Sequence, residues 1–211
     1  VGQVSDDLSR TGLRCNALDG LPLALARVIQ MVEPSSNREP VAAVDWGFAK
    51  STICVVMNGC PVFVRCLRGC GFSPVARSLC EELGVSLDEA QRLLARHGLP
   101  DSPRSEQMGD ELQVAIGDAA TPSLSGIVHE LNRTLSFLKG QRPGLMPNRV
   151  WLFGCGAMVR NITGFLGARI GIPVDVWQLA NAGIQEQAAI KYPSRILAHA
   201  VAASSLAWVK P

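Results

Sequence analysis

The sequence predicts an α/β domain, on three observations. An apolar run at 41–45 ends in a carboxylate, Asp45, and turns through Gly47 into a second strand-like run. Asn58-Gly59 then separates two β-rich runs, 51–57 and 61–67, which is a strong hairpin signal because a type I′ turn needs positive φ at both centres. From 150 onward the chain alternates: strand 150–153, glycine turn Gly154-Cys155-Gly156-Ala157, helix 159–170, strand 174–177 and a closing Ala-rich helix 195–209. An antiparallel three-strand meander followed by parallel strands is the expected mixed sheet, with helices on its faces.

The elements between follow from periodicity and caps. Leu21, Leu23, Leu25, Val28, Ile29 and Val32 form an apolar helical face, with Pro22 suited to the first turn. Residues 34–40 are a loop by composition. A helix is expected at 73–83. A second runs to His97 from an N-cap at Ser86, with Glu89 three residues on and Gly98 at its end. Residues 99–122, rich in Pro, Gly, Asp and Ser, read as a loop excursion around an apolar island at 112–116. A long amphipathic helix is expected at 123–139, carrying Leu124, Ile127, Leu131, Leu135 and Leu138.

Composition narrows the function. With 211 residues, 47% hydrophobic and 18% charged, the chain can bury a full core. A net charge of +2 without a single-sign run gives no electrostatic footprint for nucleic acid or an anionic membrane. No run of 18 apolar residues occurs and no signal peptide is visible. The chain opens on Val1 rather than methionine, so a longer protein is expected. Seven cysteines with no Cys-X-X-Cys pair point to reduced, mostly buried thiols in a cytoplasmic protein. The three histidines stand apart in helical patterns and suggest no ligand set.

Two stretches carry candidate chemistry. Asp45 at the mouth of a strand can hold the water shell of a magnesium ion, Gly47 lets backbone N–H groups approach an anion, and Ser51 and Thr52 can donate to phosphate oxygens. The same residues also make an ordinary Asp-X-Gly turn between strands. Gly154 and Gly156, between a strand and a helix, serve either a nucleotide or tight strand–helix packing. On the long helix Glu130 and Arg133 are three apart, as a solvated ion pair or as a ribose acceptor and a base-stacking cation.

The order of these motifs resembles the actin-like ATPases, and within them the PilM-like proteins of type IV pilus assembly, relatives of the cell-division protein FtsA. The resembling residues are Ala43-Val44-Asp45-Trp46-Gly47, Asn58-Gly59-Cys60-Pro61-Val62-Phe63-Val64-Arg65, Leu87-Asp88-Glu89-Ala90, Ile127-Val128-His129-Glu130-Leu131-Asn132-Arg133-Thr134-Leu135, 152–157 and 171–177. The resemblance implies an RNase H-like unit, with 41–211 as the second half of an actin-like fold and 72–122 as its subdomain excursion. Residues 1–40 would be the linking helix segment from a first half. It implies 44–52, with Lys50, Ser51 and Thr52, as the second phosphate loop, and Gly154, Cys155, Gly156 and Ala157 as the adenosine turn. Glu130 and Arg133 would lie near ribose and base. It further implies ATP and Mg2+ as ligands, a PilN-like inner-membrane protein docking through its cytoplasmic tail, and peripheral attachment to the inner membrane.

Three departures stand out. Cys155 occupies the family's second glycine position, where a side chain is expected to crowd adenine. Gly69-Cys70-Gly71 replaces a Gly-Gly pair. No strand with Asp-X-Gly precedes residue 40, so half of an actin-like cleft is expected here, with no turnover by this chain alone. The alternatives are an active phosphotransferase or ATPase of the same superfold, and a domain kept for interaction alone.

Overall fold

A computed structural model describes residues 2–12, 19–33, 39–100 and 111–178. The mixed sheet is as expected. Strands β1 (Val41–Trp46), β2 (Ser51–Met57), β3 (Cys60–Leu67), β4 (Val150–Phe153) and β5 (Val174–Val176) stand in the order β3-β2-β1-β4-β5. The first three pair antiparallel; β1–β4 and β4–β5 pair parallel. Asn58 and Gly59 take φ of 52° and 72°, the two left-handed centres of a type I′ turn.

Both faces of the sheet are covered. Ala42, Val44 and Trp46 alternate with Val41 and Ala43, so β1 is buried on both sides. Helix α2 (Leu21–Val32) packs Leu25, Ala26, Val28 and Ile29 against Val41, Ala43, Cys54, Trp151 and Phe153. Its C-terminal end is tied to the sheet by Trp151 Nε1 donating to Glu33 at 2.9 Å, and its middle by Trp177 Nε1 donating to the Val28 carbonyl. Helices α3 (Ser73–Leu83), α4 (Leu87–Arg96), α5 (Glu111–Gln141) and α6 (Ile162–Ile170) bury the other face. The Ser86 hydroxyl accepts from the Glu89 amide, as an N-cap should. A short helix α1 (Gly2–Arg10), not foreseen, precedes these elements.

Three expectations are corrected. First, 111–122 is helix, the opening third of a 31-residue α5 that runs through Pro122. Proline leaves the Asp118 carbonyl without its helical donor. Tertiary contacts outweigh that local cost. Ile116, Ala119 and Ala120 are buried, Ser78 donates to the Ala119 carbonyl, and Gln113 donates to the carbonyls of His97 and Leu99. Gly117 also has a packing reason, since a Cβ there would lie 2.8 Å from the Pro100 ring. Second, α6 starts at Ile162 rather than 159. Residues 159–161 are pinned to the end of α4, with Arg160 N–H donating to the Leu94 carbonyl and Asn161 Nδ2 to the Leu99 carbonyl. Third, the thiols are not mostly buried: Cys60 and Cys66 on β3 are exposed. Cys15 and the helix expected at 195–209 lie outside the described residues. Among the described residues, no helix is long and apolar enough to cross a membrane.

Candidate nucleotide-binding turns

Strand β1 delivers Asp45 to the end of the sheet between Thr52 on β2 and Phe153 on β4, its register partners. Trp46 points to the opposite face, 1% exposed. The chain then turns back through Gly47, where a Cβ would lie 2.8 Å from the Lys50 carbonyl, so a side chain would strain the turn. The turn is clamped by the β3–α3 connection. Phe72 N–H donates to the Gly47 carbonyl at 2.9 Å and Ser73 N–H to the Phe48 carbonyl at 2.8 Å. Gly71 sits so close that a Cβ would be 2.5 Å from the Phe48 oxygen.

The Gly154 turn lies directly on this one. Gly154 has φ 82° and ψ −166°, a glycine-only conformation, and a Cβ there would meet Asp45 Oδ1 at 2.7 Å. Gly156 lies against the Trp46 ring, where a Cβ would fall 2.0 Å from the nearest ring atom. Residues Cys155–Met158 form a 3₁₀ turn, with Ala157 fully buried and donating to the Gly154 carbonyl. The indole Nε1 of Trp46 is buried without a hydrogen-bond partner, held between Gly156 and an edge-on Phe72.

Cys155 is the side chain at the junction. Its thiol is pushed above its ordinary range by burial and by the Asp45 carboxylate, offset in part by the backbone N–H groups of Cys155 and Phe48. The sulfur therefore lies near the Phe48 amide and the Asp45 carboxylate.

The remaining candidates divide. Lys50 is exposed beside the turn. Thr52 is half-buried next to Asp45. Ser51 is 1% exposed and its hydroxyl donates to the Cys70 carbonyl. Glu130 and Arg133 are further along, on α5. Arg133 Nη1 lies 3.4 Å from Glu130, and the stronger partner of Glu130 is Arg65 on β3. Arg65 also donates to the Thr134 hydroxyl at 2.6 Å. Thus Glu130 neutralises a neighbour on the sheet. Cys70 joins the two groups: its carbonyl accepts from Ser51, its sulfur approaches the Gly126 carbonyl of α5, and the Glu130 carboxylate helps raise its thiol. Sequence patterning gave Arg65 and Phe48 no role, although Arg65 ends a resembling stretch and Phe48 lies within the expected phosphate loop, because the partner of Arg65 is 65 residues away and Phe48 acts through its backbone.

No protein-family model and no curated protein matches the sequence. Solved structures do match. A chain of the PilM–PilN type IV pilus biogenesis complex aligns over 100% of this chain and 58% of its own length, at 20% identity and TM-score 0.73. The ethanolamine utilization protein EutJ from Carboxydothermus hydrogenoformans covers 92% of this chain and 56% of its own length, at 15% identity and TM-score 0.60. An MreB of Spiroplasma citri bound to AMPPNP covers 97% and 63%, at 11% identity and TM-score 0.68. The chain has the fold of the actin-like ATPases. It spans under two thirds of the length of each of these three neighbours. At such identities the actin-like fold is what the likeness carries.

Proposed function

We propose that this chain belongs to a PilM-like actin-fold platform for assembling a type IV pilus or a related secretion system. It would work in the cytoplasm, held at the inner membrane by docking the cytoplasmic tail of a PilN-like partner. The observation that supports this reading is the contact between the Asp45 carboxylate and the Gly154 turn, in a fold shared with a chain of the PilM–PilN complex.

The junction offers donors for ATP and Mg2+. Asp45 would hold the ion through its water shell, and Lys50, Thr52 and the amides of the 47–50 turn would face phosphate oxygens. Gly154, Gly156 and Ala157 would back the nucleoside. The clamped carbonyls of Gly47 and Phe48 keep that turn in one conformation, so little ordering remains on binding. ATP, when bound, supplies an anion that ties this half of the cleft to another. In this reading the role of Asp45 is binding. Titrating Mg-ATP into the full-length protein by calorimetry tests this reading. Asp45→Ala is expected to abolish magnesium-dependent binding, and unchanged binding would overturn the site. Cys155→Gly is expected to tighten it by opening the space over the Phe48 amide.

One observation favours a second reading, an interaction domain that no longer takes nucleotide. The Cys155 sulfur sits beside the Phe48 amide, where a phosphate oxygen would go, while Ser51 and Glu130 already have partners. Wild-type protein that fails to bind Mg-ATP, yet gains it on Cys155→Gly, would establish this second reading.

A further inference from the structure

Among the described residues β3 is the outer strand of the sheet, so one row of its backbone N–H and C=O groups has no strand beside it. Pro61 and the register shift at Val55/Val56 disturb only its start. Val64, in mid-strand, is 46% exposed. Beside this edge a groove of about 370 Å³ runs between β3 and α5, lined by Phe63, Val64, Arg65, Arg133, Thr134 and Phe137. The Phe137 ring is 6.0 Å from that of Phe63 and itself 47% exposed. The charged residues that line the groove are both cationic, Arg65 and Arg133, and they share one carboxylate, Glu130; Arg68 follows directly on the end of β3.

We propose that this groove docks an extended acidic segment of a partner protein. The segment adds to β3 as a further strand, seats an aromatic or aliphatic side chain against Phe63 and Phe137, and sets its carboxylates against Arg68 and Arg133. Backbone pairing gives affinity to such a strand, and alternate side chains give it selectivity. The surplus of guanidinium groups decides the sign of the occupant. It also argues against a second copy of this chain pairing through β3, because residues 60–67 carry no carboxylate to set against Arg133. The groove shares no residue with the Asp45 junction.

The test is fluorescence anisotropy of the full chain with a fluorescein-labelled peptide, Asp-Glu-Val-Phe-Val-Glu-Asp, against a control, Lys-Lys-Val-Phe-Val-Lys-Lys. The acidic peptide is expected to bind about tenfold or more tighter than the basic one and to weaken with salt. Arg133→Glu and Phe137→Asp are each expected to weaken it about tenfold, with circular dichroism unchanged because both side chains are exposed. Absence of saturable binding, equal binding of the two peptides, or indifference to both variants would overturn the proposal. So would self-association of the chain that Phe137→Asp abolishes, since the occupant would then be a second copy.

Discussion

The Asp45–Gly154 junction and the Glu130–Arg133 surface of α5 carry the same kind of candidate residue, but they are built differently. At the junction the backbone makes the contact. Gly154 and Gly156 lie so close to Asp45 and Trp46 that no side chain fits between them. On α5 side chains make the contact, and they can rearrange. Glu130 holds Arg65 closely and Arg133 loosely, and Arg133 is 67% exposed. A contact made by backbone has one solution, whereas a pair of long side chains has several. The junction can therefore be preorganised for a ligand, while Glu130 would have to release Arg65 to receive one.

The largest expected effect breaks the comparison at its rigid side. Gly156→Ala places a methyl group within 2.0 Å of the Trp46 ring, and the ring is fully enclosed between Gly156 and Phe72. Overpacking of this kind costs about 3 kcal/mol or more. Chemical denaturation of the variant should show that loss. A loss below about 1 kcal/mol would mean that the two turns move apart freely.

The softer side answers to a pair of variants. Arg65→Ala leaves the Glu130 carboxylate, with 16% of its side chain exposed, without its main partner. The expected loss is about 1–3 kcal/mol, as for a charged hydrogen bond left unmade. Arg133→Ala should cost only a few tenths of a kcal/mol, as an exposed pair three residues apart does. If denaturation gives equal losses for the two, Glu130 is shared evenly and the ribose reading gains ground.

The same contrast explains what was legible in the sequence. Gly154 and Gly156 announce a close approach, because no Cβ fits at either, and Asn58-Gly59 a tight turn, because glycine and asparagine tolerate positive φ. Alternating burial in β1 and the Ser86 cap follow from local rules in the same way. What glycine does not tell is which atom comes near. Here it is Trp46, the motif's own neighbour. The first third of α5 was hidden because Pro122 and Gly117 carry loop signals, while their compensation lies on α3 and in the segment 97–100. Arg65 was hidden because its partner is 65 residues away.

The smallest expected effect is read by two thiols that happen to report on the two regions. Cys155 is raised first by burial and then by Asp45; Cys70 first by burial and then by Glu130, with Arg65 opposing. Raised values keep both thiols protonated near neutral pH, so alkylation is slow and accelerates only as pH rises. Asp45→Asn removes the negative charge beside Cys155. Its thiolate is then less disfavoured, its pKa falls, and its iodoacetamide rate at pH 8 should rise about threefold, followed by mass spectrometry of the Cys155 peptide. Cys70 should not respond, because its carboxylate is Glu130. Glu130→Gln should move Cys70 in the same direction, since Glu130 no longer disfavours its thiolate, and leave Cys155 unchanged. A response of both thiols to one substitution would show that the junction and the α5 surface form one electrostatic site, which is what a nucleotide spanning them would require.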